Sequence, residues 1–179
     1  MKRVMIIGGA GSGKSTLARQ IGDKTGLPVI HIDPMFWKAG WVQRRPEETT
    51  ALALKATESE EWVFEGNHSA TMDARLARAD TLIFLDIGTV RRLWRIALRT
   101  LCHYGRTRPD MAEGCPERFD WDFIKWVAGY RRGGRVKALR LIRSAPPHVR
   151  MLHLHDPAEV RTFLANIPTG RPVGQPEET

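Results

Sequence analysis

Apolar positions along the chain fall into two rhythms that alternate. Short apolar runs at 3–7 (RVMII), 27–32 (LPVIHI), 62–65 (WVFE), 81–86 (TLIFLD) and 149–154 (VRMLHL) have the length and side-chain types of strands. Between them, apolar residues spaced three and four apart predict helices over 14–24, 46–61, 73–79, 89–104, 121–143 and 157–167. Pro46 and the acids after it suit a first helical turn, and the adjacent Gly133 and Gly134 predict a break in 121–143, because paired glycines weaken a helix. The stretch 105–120 holds two prolines and two glycines without a period, and is expected to be a surface excursion.

Strands that alternate with helices predict a three-layer α/β/α sandwich on a five-stranded, mainly parallel sheet, since right-handed crossovers place helices on both faces. The 179 residues suit one domain, expected at 1–168, with 169–179 a flexible tail. Two cysteines, Cys102 and Cys115, exclude a disulfide scaffold and a four-ligand zinc site. No apolar run reaches the 18 or so residues of a membrane span, so a cytoplasmic protein without a membrane partner is expected. The net charge of +8 is uneven, with 15 Lys/Arg against 5 Asp/Glu over 91–150. Such a segment implies an anionic partner without saying whether it is nucleic acid or a phosphorylated small molecule.

The strongest local signal follows the first strand. Gly8, Gly9, Ala10, Gly11, Ser12, Gly13, Lys14 and Ser15 match G-x-x-x-x-G-K-[S/T], with an apolar strand before and an amphipathic helix after. The glycines let backbone N–H groups converge on a phosphate, the helix N-terminus adds partial positive charge, Lys14 reaches the β- and γ-phosphates, and the Ser15 hydroxyl serves Mg²⁺. With Thr16, these residues are the expected nucleotide site, and ATP with Mg²⁺ the expected cofactors.

Three acids end strands at the sheet edge where ligands bind: Asp33, Glu65 and Asp86. Asp33 is the candidate for an acceptor or for magnesium, Glu65 with Asn67 forms a second acceptor-side cluster, and Asp86 is a candidate to hold Mg²⁺ through water. His31, flanked by Ile30 and Ile32, reads as a packed histidine rather than a base. In 89–104 the apolar face is Val90, Leu93, Trp94, Ala97, Leu98 and Leu101, with Arg91, Arg95 and Arg99 opposite. Arg106 and Arg108 within the excursion, and Arg131, Arg132 and Arg135 beyond it, would make 105–120 a basic lid that closes over transferring phosphoryl groups. Trp37 and Trp41 follow Asp33 and are expected to cover the second site, whereas Trp121 and Trp126 are expected to pack in the core with Phe119 and Phe123.

The segments GGAGSGKSTLARQI, VIHIDPMFWKAGW, WVFEGNHSATMDARLARADTLIFLD and YGRTRPDMAEGCPERFDWDFIKW together resemble DNA topology modulation proteins, in the adenylate-kinase-like branch of small P-loop kinases. The resemblance runs over 2–167. It implies sheet order 2-3-1-4-5, Mg·ATP on the first loop, an acceptor-side helical segment at 34–61 and a lid at 105–120. It further implies Arg91 or Arg95 near the adenine or phosphates, Arg131 or Arg132 on the transferred group, and the turn at His155 and Asp156 beside the base. The chain departs from nucleoside-monophosphate kinases after the third strand, where Glu65-Gly66-Asn67-His68-Ser69 replaces Asp-Gly-Phe-Pro-Arg. That argues against a monophosphate acceptor unless Arg44, Arg45, Arg75 or Arg78 supplies the charge. Two readings stay open: a phosphotransferase acting on a small-molecule acceptor as monomer or homodimer, and a nucleic-acid-associated NTPase affecting DNA topology, for which no nucleic-acid-binding motif is present.

Overall fold

Strand β1 (Arg3–Gly8) is buried on both faces, and the computed structural model, which describes residues 1–169, is organised around it. The chain continues through α1 (Lys14–Thr25), β2 (Val29–His31), α2 (Asp33–Phe36), a small hairpin of β3 (Trp37–Lys38) and β4 (Val42–Gln43), then α3 (Pro46–Ala56) and β5 (Trp62–Glu65). It ends with α4 (Met72–Arg78), β6 (Thr81–Leu85), α5 (Thr89–His103), α6 (Trp121–Gly129), α7 (Gly134–Arg143), β7 (Arg150–Leu154) and α8 (Pro157–Ala165). The main sheet has the order β2-β5-β1-β6-β7 with every pair parallel. Counting only its own strands, that is the expected 2-3-1-4-5. The tail expected at 169–179 lies outside the described residues apart from Thr169.

Alternation along the strands separates two cores. Val4, Ile6, Val63, Ile83 and Leu154 face Leu17, Ala18 and Ile21 of α1 and the inner side of α8. Met5, Ile7, Phe64, Leu82 and Phe84 face Ala53 of α3, Leu76 of α4 and Leu141 of α7. Strands covered on both sides read as continuous apolar runs, which is why they were visible in the sequence. The break expected near Gly133 occurs: α6 passes into a 3-10 turn, Tyr130–Arg132, and α7 starts afresh. A Cβ on Gly134 would lie 2.4 Å from the Tyr130 ring. No described helix is long and apolar enough to cross a membrane.

Two packing expectations are corrected. In α5 the arginine face turns inward: Arg92 and Ile96 are buried, whereas Val90, Trp94 and Leu101 are 83%, 64% and 77% exposed. Trp121, Trp126 and Phe119 are exposed rather than in the core, and pair as Phe119 with Trp121 and Phe123 with Trp126. The excursion after α5 is tied at its neck by Gly105 N–H to the Glu117 carbonyl and Glu117 N–H to the Arg106 carbonyl, both 2.9 Å. Its apolar residues Met111, Ala112 and Cys115 pack on Trp37 and Trp41. The Trp41 indole donates to the Pro116 carbonyl at 2.9 Å, so the tryptophan segment and the excursion form one wall.

Candidate active site

The loop after β1 takes backbone conformations that favour glycine, with φ of 76° at Gly11 and 98° at Gly13. Helix α1 starts at Lys14 with no side chain capping it, so its first N–H groups stay available to an anion. The Ser12 hydroxyl is buried without a hydrogen-bond partner, and the Lys14 ammonium has only a 3.3 Å contact to the Gly9 carbonyl. Unsatisfied donors around a left-handed loop fit a bound phosphate chain. Behind the loop, Arg92 donates to the carbonyls of Ile87, Ala10 and Val127 and lies over the Tyr130 ring, and Arg95 donates to the Ser12 carbonyl at 3.0 Å. The two arginines thereby engage the Ala10 and Ser12 carbonyls of the loop. A Cβ on Gly9 would collide with Arg92 at 2.3 Å, so that glycine makes room for the arginine.

In front of the loop is a cavity of about 1250 Å³ reached by Lys14, Ser15, Thr16, Asp33, Glu65 and Asp110. The Ser15 hydroxyl donates to Glu65 Oε1 at 3.0 Å, and His31 Nδ1 lies 2.8 Å from the same oxygen. Burial pushes the Glu65 carboxyl up, but the His31 hydrogen bond, the Lys14 ammonium and the Ser15 hydroxyl outweigh it and hold the group below its ordinary value. Asp33 goes the other way. Burial raises it, the carboxylates of Glu65 and Asp110 add to the rise, and Lys14 and Arg108 offset only part. Its carboxylate takes no hydrogen bond or ion pair from any described residue. Oxygen donors from Ser15, Glu65, Asp33 and Asp110 around one space suit a hard cation such as Mg²⁺.

The arginines of the excursion are not a free cationic cluster. Glu117 accepts from Arg99 and from Arg108 Nε, each at 2.9 Å, and Arg108 Nη1 lies 2.7 Å from Asp110. Arg19 of α1 meets Asp110 at 3.6 Å, linking the excursion to the phosphate-loop helix. Asp110 and Glu117 carry no signal in the sequence, because an irregular segment offers no period to place them. Burial raises Asp110, and Arg108, Ser15 and Arg19 together outweigh it and hold the carboxyl low.

Several other expected positions lie elsewhere. Asp86 is on the α7 side of the sheet, held by both donors of the Arg135 fork at 2.8–3.0 Å and by His153 at 3.0 Å, and does not reach the cavity that Ser15 lines. Glu65, on the other neighbour of β1, does reach that cavity and accepts from Ser15. Asn67, expected on the acceptor side, does line the cavity, with its amide bonded to both backbone groups of Gly8, at 2.7 and 3.2 Å. Arg91 faces a shallow groove with Trp94, Asp156 and Arg161, while Arg131 and Arg132 are exposed in the 3-10 turn and Arg106 at the neck of the excursion. Of the arginines expected around the site, Arg95, Arg99 and Arg108 reach the main cavity. Arg44 and Arg45 pair with Glu48, Arg78 reaches Glu58 and Glu60, and Arg75 is buried against Phe64 and the Gly66 carbonyl.

No protein-family model matches the sequence, and no curated protein does. Solved structures do match. A shikimate kinase from Bacteroides thetaiotaomicron superposes with a TM-score of 0.56 at 15% identity, covering 92% of this chain and 94% of its own. A shikimate kinase from Acinetobacter baumannii in complex with shikimate gives 0.58 at 12%, over 92% and 89%. A gluconokinase from Sinorhizobium meliloti 1021 gives 0.50 at 16%, over 92% and 91%. The chain has the P-loop-kinase-like fold. At these identities the likeness is one of fold, and the chemistry has to be argued from the side chains.

Proposed function

We propose that the protein is a phosphotransferase that moves the terminal phosphoryl group of Mg·ATP to a hydroxyl of a small organic acceptor. The observation that carries this reading is Asp33: an unpartnered carboxylate, raised in basicity by burial and by Glu65, in the same cavity as Lys14 and Ser15. Backbone N–H groups of the glycine-rich loop and of the first turn of α1, with Lys14, hold the triphosphate. Ser15, Glu65 and Asp110 hold Mg²⁺, which neutralises charge on the phosphate oxygens. Asp33 orients the acceptor hydroxyl and takes its proton as the new O–P bond forms and the bond to the departing ADP breaks. A carboxylate with raised pKa suits that task better than an ordinary one.

The charge pattern favours a hydroxyl over a phosphate acceptor. Arg19, Arg99 and Arg108 are each paired with a carboxylate, and Arg118 lies over the Trp41 ring. Trp37 and Trp41, edge to face at 5.4 Å, offer an apolar wall to the organic part of the acceptor. The segments that resemble DNA topology modulation proteins include the phosphate loop, the Asp33–Trp41 region, the loop after β5 and the excursion, so that resemblance concerns the same site. The test is ADP release from Mg·ATP across a panel of hydroxyl compounds. Release that depends on one class of acceptor and disappears in Lys14→Ala is expected. Release that instead depends on nucleic acid, and weakens steeply with salt, overturns the reading in favour of a nucleic-acid-associated NTPase.

A further inference from the structure

We infer that Asp86, His153 and His155 form a binding site for a divalent transition-metal ion of the zinc or cobalt type, on the face of the sheet away from α1. It is independent of the phosphotransferase reading. His153 and His155 are two residues apart at the end of β7, so the strand period sends both rings to one side, and their centroids are 4.0 Å apart. Asp86 follows the neighbouring strand β6, and its N–H donates to the Leu154 carbonyl at 2.8 Å, which places its side chain level with the two rings. Sheet pairing therefore fixes all three positions.

The separations suit an ion. Bonds of about 2.0–2.2 Å to imidazole nitrogen and carboxylate oxygen, at right to tetrahedral angles, put ligand atoms about 3.0–3.5 Å apart. His153 Nε2 already lies 3.0 Å from Asp86 Oδ2, where an ion would take the place of the shared proton. All three ligand atoms lie within 4.8 Å of one another, and His155 is exposed, so its ring can swing the remaining distance and leave a position open to water. Arg135 grips the carboxylate with two donors and fixes its plane, and Phe84 stacks on the His153 ring at 4.8 Å. Two imidazoles and one carboxylate select borderline cations such as Zn²⁺ and Co²⁺ over Mg²⁺, which prefers oxygen. The Arg135 cation beside the site works against a second positive charge there and weakens binding.

The test is a titration of the full chain, stripped of metal and free of nucleotide, with Co²⁺ followed by its visible d–d absorption. One equivalent is expected to bind and to be displaced by Zn²⁺ but not by millimolar Mg²⁺. His155→Ala removes an exposed ring outside the core and should weaken binding more than about tenfold, as Asp86→Asn should, while His148→Ala leaves it unchanged. Circular dichroism confirms that each variant is folded. No saturable absorption up to about 1 mM Co²⁺ overturns the site. So does binding unaffected by His155→Ala, or displacement by Mg²⁺, which would place the ion among the oxygens around Ser15.

Discussion

The Ser15 hydroxyl donates to Glu65 Oε1 at 3.0 Å, joining the last residue of the phosphate-loop motif to the end of the strand beside it. Because β5 pairs with β1 in register, with Glu65 opposite Ile6, the carboxylate arrives beneath the loop whatever the rest of the chain does. Glu65→Gln keeps the size and the hydrogen-bonding reach to Ser15 but removes the charge. The half-saturating Mg²⁺ concentration for ATP turnover is expected to rise by about tenfold or more, while nucleotide binding without metal changes little. A Mg²⁺ dependence identical to wild type would remove Glu65 from the metal site.

Arg92 makes a second prediction. It is 1% exposed, and its fork serves carbonyls from the phosphate loop, the strand end before α5, and α6. A lysine carries the same charge but not the fork, so Arg92→Lys leaves carbonyls unpaired. A loss of about 1–3 kcal/mol in unfolding free energy is expected, together with weaker ATP binding, because the loop backbone loses its brace. Denaturant unfolding and nucleotide titration check both halves. Full stability in Arg92→Lys would mean that the fork is not what holds the loop.

These two residues also mark what the sequence makes legible. The alternation of strands and helices, the glycine-rich loop and the break at Gly133 follow from local motif and period, whereas the sheet order was implied only by the family resemblance. Which of Glu65 and Asp86 reaches the cavity follows from neither, since each closes a strand that flanks β1 and only side-chain geometry separates them. The inversion of α5 was hidden for a different reason. Its apolar stripe predicts an inward face, but a loop whose carbonyls need donors binds Arg92 and Arg95 more strongly than it would bind Val90 or Trp94. The one available signal was the pair Gly9 and Gly11, which lack the Cβ atoms that α5 would strike.

Glu117 offers a prediction about the excursion. Its carboxylate is 6% exposed and is shared by Arg99 and Arg108, so Glu117→Gln leaves two guanidiniums crowded with one fewer counter-charge. Removing one partner of a buried pair costs about 3 kcal/mol, which here falls on a neck held by two backbone hydrogen bonds. Hydrogen exchange of the Gly105 and Glu117 amides should accelerate at least about tenfold, with β1 and β6 unchanged. Added inorganic phosphate should slow it again. Unchanged exchange at Gly105 and Glu117 would show that the apolar contacts of Met111 and Cys115 alone hold the excursion.

Asp33 should trade stability against activity. Its pKa is raised in the folded protein, by burial first and then by Glu65 and Asp110, so ionising it costs more in the fold than in the unfolded chain. The sign follows: the folded state is favoured while Asp33 is protonated, and this contribution is lost as pH rises from the ordinary carboxylate range near 4 through the raised folded value. Asp33→Asn removes that cost. The variant is expected to unfold at a higher temperature than wild type near pH 7, and the difference should shrink as pH falls to about 4. Phosphoryl transfer should drop by roughly 10²–10⁴, the usual worth of a positioned general base, with ATP affinity within a few-fold of wild type. Thermal unfolding across pH and steady-state kinetics separate the two effects. A variant less stable than wild type at pH 7 would show that the carboxylate has a stabilising partner in the fold, and retained transfer would move the base to another residue.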